Sequence, residues 1–326
     1  MVTRITGLEE HMATPDVFAA WRKHDPNLDE PVMRWTVSGN VAGPLLDLDA
    51  GRLRDMDIAG VDQAVLSLTS PGLQNLPRVE AVALQGPTND IIADAVRRHP
   101  DRLRGFATLA TPDPAAAAAE VGRAVSQLGL DGILLHTLSG DEFHDLPKYW
   151  DIFAAAEQHR VPIYLHPSLP PEKAVDAYYD GFGLLGTGAP GWHYQTGIAV
   201  LRMIVAGVFD RFPDLQVVTG HWGEMVLFFL DRIQLLTGAA KLQRPLLEYF
   251  QNNVHITPGG IDSHRYLTWA IEVIGADRIM HATDYPFNGP TDFAARGFLD
   301  SADISDTDRQ KIASGNWERL ALGIRR

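Results

Sequence analysis

Short apolar runs of strand length recur at 3–12, 63–68, 103–110, 131–136, 161–167, 215–221, 253–258 and 278–284. Most are followed by a loop and then by a segment whose apolar residues return every three to four positions, the signature of a half-buried helix. Those segments fall at 47–59, 88–99, 113–128, 147–159, 195–212, 224–237 and 264–275. Thr88, the turn Thr111-Pro112-Asp113 and Ser263 read as their starting caps. Strand followed by helix, repeated about eight times, predicts an α/β chain closed into a (β/α)8 TIM barrel. A doubly wound sheet is the alternative, but the first strand runs into Glu9, Glu10 and His11 where a dinucleotide fold would place a glycine-rich turn. No linker-like stretch divides the chain, so one domain over 1–326 is expected, its tail 302–326 forming a last amphipathic helix pair under the barrel.

Two connections exceed ordinary loop length, 13–46 and 167–194. Both follow strands and so lie over the top face. The second carries Tyr178, Tyr179, Trp192, His193 and Tyr194, which serve either as the wall of a pocket for a flat substrate or as a small core of the loop itself.

Composition narrows the chemistry. A formal net charge of −13 with no basic run argues against a nucleic-acid partner. No stretch is apolar enough to span a bilayer and the first residues lack a signal-peptide core, so the expectation is a cytoplasmic protein with no membrane partner. With no cysteine, a metal can be held only by His, Asp and Glu.

His11, His136, His166 and His221 stand at the last residues of expected strands, with Asp284 in the same place on the eighth. In a barrel those ends converge on the face where function concentrates. Residues two apart in a strand share a side, so Glu9 and His11 can face the barrel axis together. Alone they would read as a solvated strand end. With His166 and Asp284 they make four N/O ligands for one divalent cation, Zn2+ or Mn2+, with positions left for water or substrate. His221 and Glu224 follow the sixth strand and His221 stands near that cation; Arg232, eight residues past Glu224, pairs with Glu224 or another acidic residue, or makes an ordinary structural salt bridge. His136 is either a substrate contact or a hydrogen-bonded core histidine, His255 is ambiguous, and His281, out of phase with Asp284, packs toward the helices.

These residues, with the runs LEEH (8–11), PDRLRGFATLATPDP (100–114), PIYLHP (162–167), FPDLQVVTGHWGE (212–224), TDYPF (283–287) and GNWERL (315–320), resemble the amidohydrolase-2 branch of the amidohydrolase superfamily. That branch includes resorcylate, dihydroxybenzoate and salicylate decarboxylases and aminocarboxymuconate-semialdehyde decarboxylase. The resemblance spans nearly the whole chain. It implies a barrel of the metal-dependent hydrolase type, with Glu9, His11, His166 and Asp284 as metal ligands. It also implies a catalytic His221 backed by Glu224 and Arg232, Phe287 beside the substrate ring, and a homodimer or homotetramer. The fourth strand ends GILLHT, without the bridging lysine of binuclear centres, so one metal is expected.

The expected activity is non-oxidative decarboxylation of a hydroxylated aromatic acid, an ortho-hydroxybenzoate-like small carboxylic acid, with Asp284 as the acid toward the ring carbon. The same residues would also serve a metal-dependent hydrolase of an ester, lactone or amide, in which Asp284 acts as base on water and His221 polarises the carbonyl. A non-catalytic barrel would require the acid and imidazole cluster to be incidental.

Overall fold

Seven of the eight apolar runs form strands of one parallel sheet in the computed structural model, which describes residues 2, 4–27, 31–289 and 294–326. They are β1 (Thr6–Met12), β2 (Gln63–Leu68), β3 (Leu103–Thr108), β4 (Gly132–His136), β5 (Ile163–His166), β6 (Val217–Thr219) and β7 (Val254–Ile256), each hydrogen-bonded to the next in chain order. The sheet curls round an inner apolar cluster of Leu8, Val65, Phe106, Leu134, Tyr164, Val218 and Met280, capped by Trp317 from the C-terminal helix Asn316–Leu322. The opposite face packs on the helices in a second, larger cluster. Burial on both faces is why these runs are almost continuously apolar rather than alternating.

The eighth run forms no regular ladder. Residues 279–285 lie between the two edge strands through isolated parallel bridges, Ile279 with Ile256 in β7 and His281 and Tyr285 with Gly7 and Glu10 in β1. A closed eight-stranded barrel was expected; the observed sheet has seven strands. The ladder is interrupted where Thr283 N donates to the Glu10 side chain, and the φ of +60° at Asp284 takes the backbone out of the extended region.

One helix is longer than its sequence pattern. Arg78–Arg98 runs through Gly86 and Pro87, so Thr88 is a buried interior residue and not the expected cap. Side chains either side of Pro87 anchor the helix to β3 and the loop after it: Gln85 Oε1 accepts from Ala110 N at 2.9 Å, and Asn89 accepts from Thr108 N at 2.8 Å while donating to Thr108 O at 3.0 Å. These tertiary bonds outweigh the roughly 3 kcal/mol cost of an interior proline. The other two caps form at Asp113, accepting from Ala116 N, and Ser263, accepting from Tyr266 N.

The connection 13–46 is largely helical, as Pro15–His24, Pro31–Ser38 and Ala42–Leu46, while its residues 28–30 lie outside the described set. Arg52 ties this region to the sheet. Fully buried, it donates to His11 O at 2.6 Å and Pro44 O at 3.3 Å and sits 4.7 Å from the Tyr285 ring centroid. The tail expected to hold a helix pair holds Asp306–Gln310, a looser turn Lys311–Gly315 and Asn316–Leu322. Among the described residues no helix is long and apolar enough to cross a membrane.

Candidate metal centre and its histidine pair

Strand β1 reaches the centre of the sheet twice. Its pairing with β2 shifts register between Gly7 and Glu10, so Leu8 joins the inner apolar cluster and yet Glu9 and His11, one phase later, also point inward. A bulge re-aims side chains in this way. Glu10 turns outward, where it accepts from Thr283 N at 3.0 Å and Thr283 Oγ1 at 2.6 Å. That pair fixes the segment leading to Asp284.

Glu9, His11, His166 and Asp284 each bring one ligand atom to within 4.8 Å of the others. His166 Nε2 lies 3.0 Å from Glu9 Oε1, His11 Nε2 3.9 Å from the same oxygen, and His11 Nε2 3.4 Å from Asp284 Oδ1. His166 Nδ1 donates to Pro167 O at 2.8 Å, which leaves the Nε2 lone pair facing inward. Ser70 Oγ lies 3.2 Å from the same Nδ1 and donates to Pro167 O at 2.9 Å. Tyr164 donates to Glu9 Oε2 and lies 2.8 Å from Thr257 Oγ1.

The fit to a cation rests on what these bonds leave over. Glu9 Oε1 and His11 Nε2 are wholly buried and make no hydrogen bond, whereas buried polar atoms of a folded protein are almost always partnered. Two carboxylates and two imidazoles with inward-facing lone pairs suit Zn2+ or Mn2+. Burial opposes ionisation of Glu9, but His221, His11 and His166 around it reverse the effect and hold it well below the usual carboxylate range. Asp284 goes the other way: burial and the neighbouring Glu9 charge raise it, against the pull of His11.

His221 stands on a turn that the sequence pattern reads as an ordinary helix start. The structure instead gives positive φ to five successive residues, His221 (48°), Trp222 (59°), Gly223 (80°), Glu224 (56°) and Met225 (65°). A left-handed turn costs roughly 1–2 kcal/mol per non-glycine residue, and it is held by Trp222 N on Thr257 O at 2.9 Å and Trp222 Nε1 on Ile261 O at 2.8 Å. Gly259 makes room behind it, since a Cβ there would lie 2.8 Å from His221 N. The turn places His221 Nε2 4.0 Å from Glu9 Oε1 and folds Glu224 back beneath the ring. Glu224 then holds two imidazoles, His221 Nδ1 at 2.7 Å and His193 Nδ1 at 2.8 Å. Desolvation works against a charged His221, but Glu224 and Glu9 outweigh it and raise its pKa to about 10.

The remaining expected residues divide. His136 pairs in register with His166, is buried, and has its backbone clamped by Gln74, which accepts from His136 N at 2.6 Å and donates to His136 O at 2.9 Å. Its Nε2 has no partner and its ring centroid lies 5.4 Å from that of His166. Phe287 lies edge-on to His11 at 5.7 Å and is partly exposed. Arg232 does not reach Glu224: it is exposed on the helix Val226–Ile233, and both Glu224 oxygens are taken by histidines. His281 is buried and stacks toward Phe298. In the connection 167–194, Trp192 approaches His166 at 6.3 Å while Tyr178 and Tyr194 face solvent.

Tyr164, Ser70, Gln74 and the partnership of His193 with Glu224 were not found from sequence. Only Tyr164 had a signal, two residues before His166 on the same strand face. His193 and Glu224 are 31 positions apart and meet only through the left-handed turn.

The amidohydrolase family matches residues 35–320, a span that leaves out the Glu9 and His11 of β1. A gamma-resorcylate decarboxylase of Polaromonas sp. is 35% identical to the chain over 96% of it and 97% of that protein. Among solved structures, 5-carboxyvanillate decarboxylase from Sphingomonas paucimobilis superposes with a TM-score of 0.92 at 33% identity, covering 98% of this chain and 99% of that one. A dihydroxybenzoic acid decarboxylase from Polaromonas sp., holding manganese and the inhibitor 2-nitroresorcinol, gives 0.87 at 31% identity, covering 99% and 97%.

Proposed function

Because the chain belongs to the amidohydrolase family, we propose that it catalyses the metal-dependent, non-oxidative decarboxylation of a hydroxylated aromatic acid of the ortho-hydroxybenzoate type. The observation that carries this reading is the buried set Glu9, His11, His166 and Asp284, in which Glu9 Oε1 and His11 Nε2 are unpartnered, standing beside a His221 held by Glu224. One Mn2+ or Zn2+ held by that set supplies charge stabilisation to a substrate that presents a carboxylate next to a phenolic oxygen.

The chain's own groups do the rest. His221, its Nδ1–H engaged by Glu224, presents Nε2–H to negative charge on the substrate, and Glu224 with His193 keeps the ring from turning. Asp284 is the acid. Its proton goes to the ring carbon bearing the carboxylate, forming a C–H bond; the C–C bond to the carboxylate then breaks, its electron pair returns to the ring, and CO2 leaves with Asp284 as carboxylate. A cation beside Asp284 favours its carboxylate, so the proton it passes on is supplied by His221 or by the bound substrate. Phe287 and His136 flank the space for the ring, and His136 is held neutral by burial and by the nearby His166 and His11.

The same reading treats 1–326 as one domain with its long top-face connections over the site, and residues 279–285 as an eighth stave that closes the barrel through its bridges. It also takes the protein as a cytoplasmic homodimer or homotetramer, a state supported by Phe228, Phe229 and Met225 standing exposed on and beside one helix.

The test is product analysis on metal-loaded protein across hydroxybenzoic acids, with Asp284→Asn as control. CO2 evolution from an ortho-hydroxy acid, lost in the folded variant, is the expected result. No CO2 from any such acid, together with 18O uptake from water into a carboxylate product of an ester or lactone, overturns it in favour of hydrolysis.

A further inference from the structure

At the opposite end of the sheet, where the strands begin, a cavity of about 390 Å3 opens between the connection to β5, the connection to β6, β7 and the C-terminal helix. Its chemistry is unlike that of the inner cluster above it. His255 of β7 is register partner to Val218, a member of that apolar cluster, and is itself buried. Arg278 Nη1 lies 3.0 Å from His255 Nε2 and donates to Gln216 Oε1 at 3.0 Å. A guanidinium can only donate, so His255 Nε2 must be the acceptor and the ring is neutral with its proton on Nδ1. That Nδ1 has no partner.

Arg278 is half-buried, and among the described residues it makes no ion pair. Arg319 and Arg160 line the same cavity. Two carboxylates are present as well. Asp277 is occupied by Lys311 Nζ at 3.1 Å and Arg319 Nη1 at 3.5 Å, and Asp214 is exposed. The lining therefore holds three arginines against two carboxylates, one of them shared between Lys311 and Arg319, around a neutral imidazole. Burial, followed by the field of Arg319, pushes Arg278 down to about 10 against the opposing pull of Asp277, as expected of a cation partly removed from water.

We propose that this cavity is a second binding site, for a small oxyanion, in which Arg278, Arg319 and Arg160 supply the charge-assisted hydrogen bonds. The planar guanidinium fork matches phosphate and carboxylate oxygens alike, and the volume admits inorganic phosphate or a short dicarboxylate. The site is separate from the cluster of Glu9, His11, His166 and Asp284 at the other ends of the strands, and it stands whether or not the decarboxylase reading holds.

The experiment is calorimetric titration of the full-length protein with inorganic phosphate, with malonate and with sodium chloride at matched ionic strength, alongside thermal melts. Saturable binding of phosphate or malonate, with chloride inert, is expected, and the stronger of the two names the ligand class. Arg278→Gln should raise the half-saturating concentration roughly tenfold or more while turnover is unchanged. Arg160→Gln, at an exposed position, should weaken binding in the same direction and decides the matter if the Arg278 variant does not fold. The response should persist in His166→Ala, which excludes binding at the metal centre. Equal response to chloride, or binding unaltered in both arginine variants, overturns the proposal.

Discussion

Gly197 lies inside the helix Pro190–Val205, far in sequence from the site it supports. Replacing an interior helical glycine by alanine ordinarily stabilises a protein by about 0.5–1 kcal/mol, because alanine loses less backbone entropy on folding. Here the sign reverses. A Cβ at 197 would lie 2.5 Å from Glu224 O and 2.9 Å from Val226 Cγ2. The first neighbour is backbone, part of the left-handed turn, and must retreat by roughly 1 Å to reach ordinary contact. Overpacking of this kind costs about 1–3 kcal/mol, so Gly197→Ala should be destabilised by about 1–2 kcal/mol net. The displaced Glu224 carries His221 with it, and a shift of about 1 Å at a positioned group lowers turnover by up to about a hundredfold. Urea unfolding and kcat for CO2 release on the metal-loaded variant measure both effects. A Gly197→Ala protein as stable and as active as the wild type would refute the claim that this turn is held by close packing.

Tyr164→Phe removes a donor from buried Glu9 and a partner from Thr257; the fold should lose about 1–3 kcal/mol and metal affinity should fall about 10–100-fold, read by competition with a chelator. Excess Mn2+ or Zn2+, at about a thousand times its dissociation constant, should stabilise the protein by about 4 kcal/mol, an increment that His166→Ala abolishes in thermal melts with and without metal. His281 is buried with neither ring nitrogen bonded, and burial pushes its pKa down to about 4 from the ordinary 6.5. A depressed histidine favours the folded state above pH 6.5, and that contribution is lost as pH falls toward 4. By linkage His281→Leu should therefore lose less stability than wild type between pH 7 and pH 4.5, by about 2 kcal/mol; parallel urea titrations at the two pH values check it, and identical slopes would count against the assignment.

The sequence pattern locates strands well because a strand buried on both faces leaves an apolar run that little else produces. Thus 63–68 is matched residue for residue by β2, and the ligand positions at the ends of β1 and β5 follow from counting along such runs. What the pattern cannot carry is backbone conformation decided by tertiary bonds. Pro87 reads as a helix breaker until Gln85 and Asn89 are seen pinned to β3 and its following loop. The segment 221–225 reads as a helix start because its residue types are compatible with one, and only the contacts of Trp222 and the space left by Gly197 and Gly259 turn it left-handed. Of the partners open to Arg232, Glu224 is not the one, because the turn swings Glu224 inward, where His221 and His193 take both its oxygens. The bulge in β1 is a milder case, since strict alternation would place Leu8 and Glu9 on opposite faces.

The departures from local rules are not scattered. Among the described residues seven non-glycine residues have positive φ, and five of them, His221, Trp222, Glu224, Met225 and Asp284, belong to the site or to the turn that builds it. At roughly 1–3 kcal/mol each, that is a large sum beside the 5–15 kcal/mol by which a domain is stable, and the surrounding packing must supply it. The strained residues are those whose side chains or immediate neighbours aim at one point: a continued strand at 284 would turn Asp284 away from His11, and a right-handed start at 221 would part Glu224 from His193. Relaxing the strain therefore trades function for stability. A variant that lets 221–225 become regular helix would be harder to unfold and would hold its cation, yet would have lost the imidazole that stands beside it.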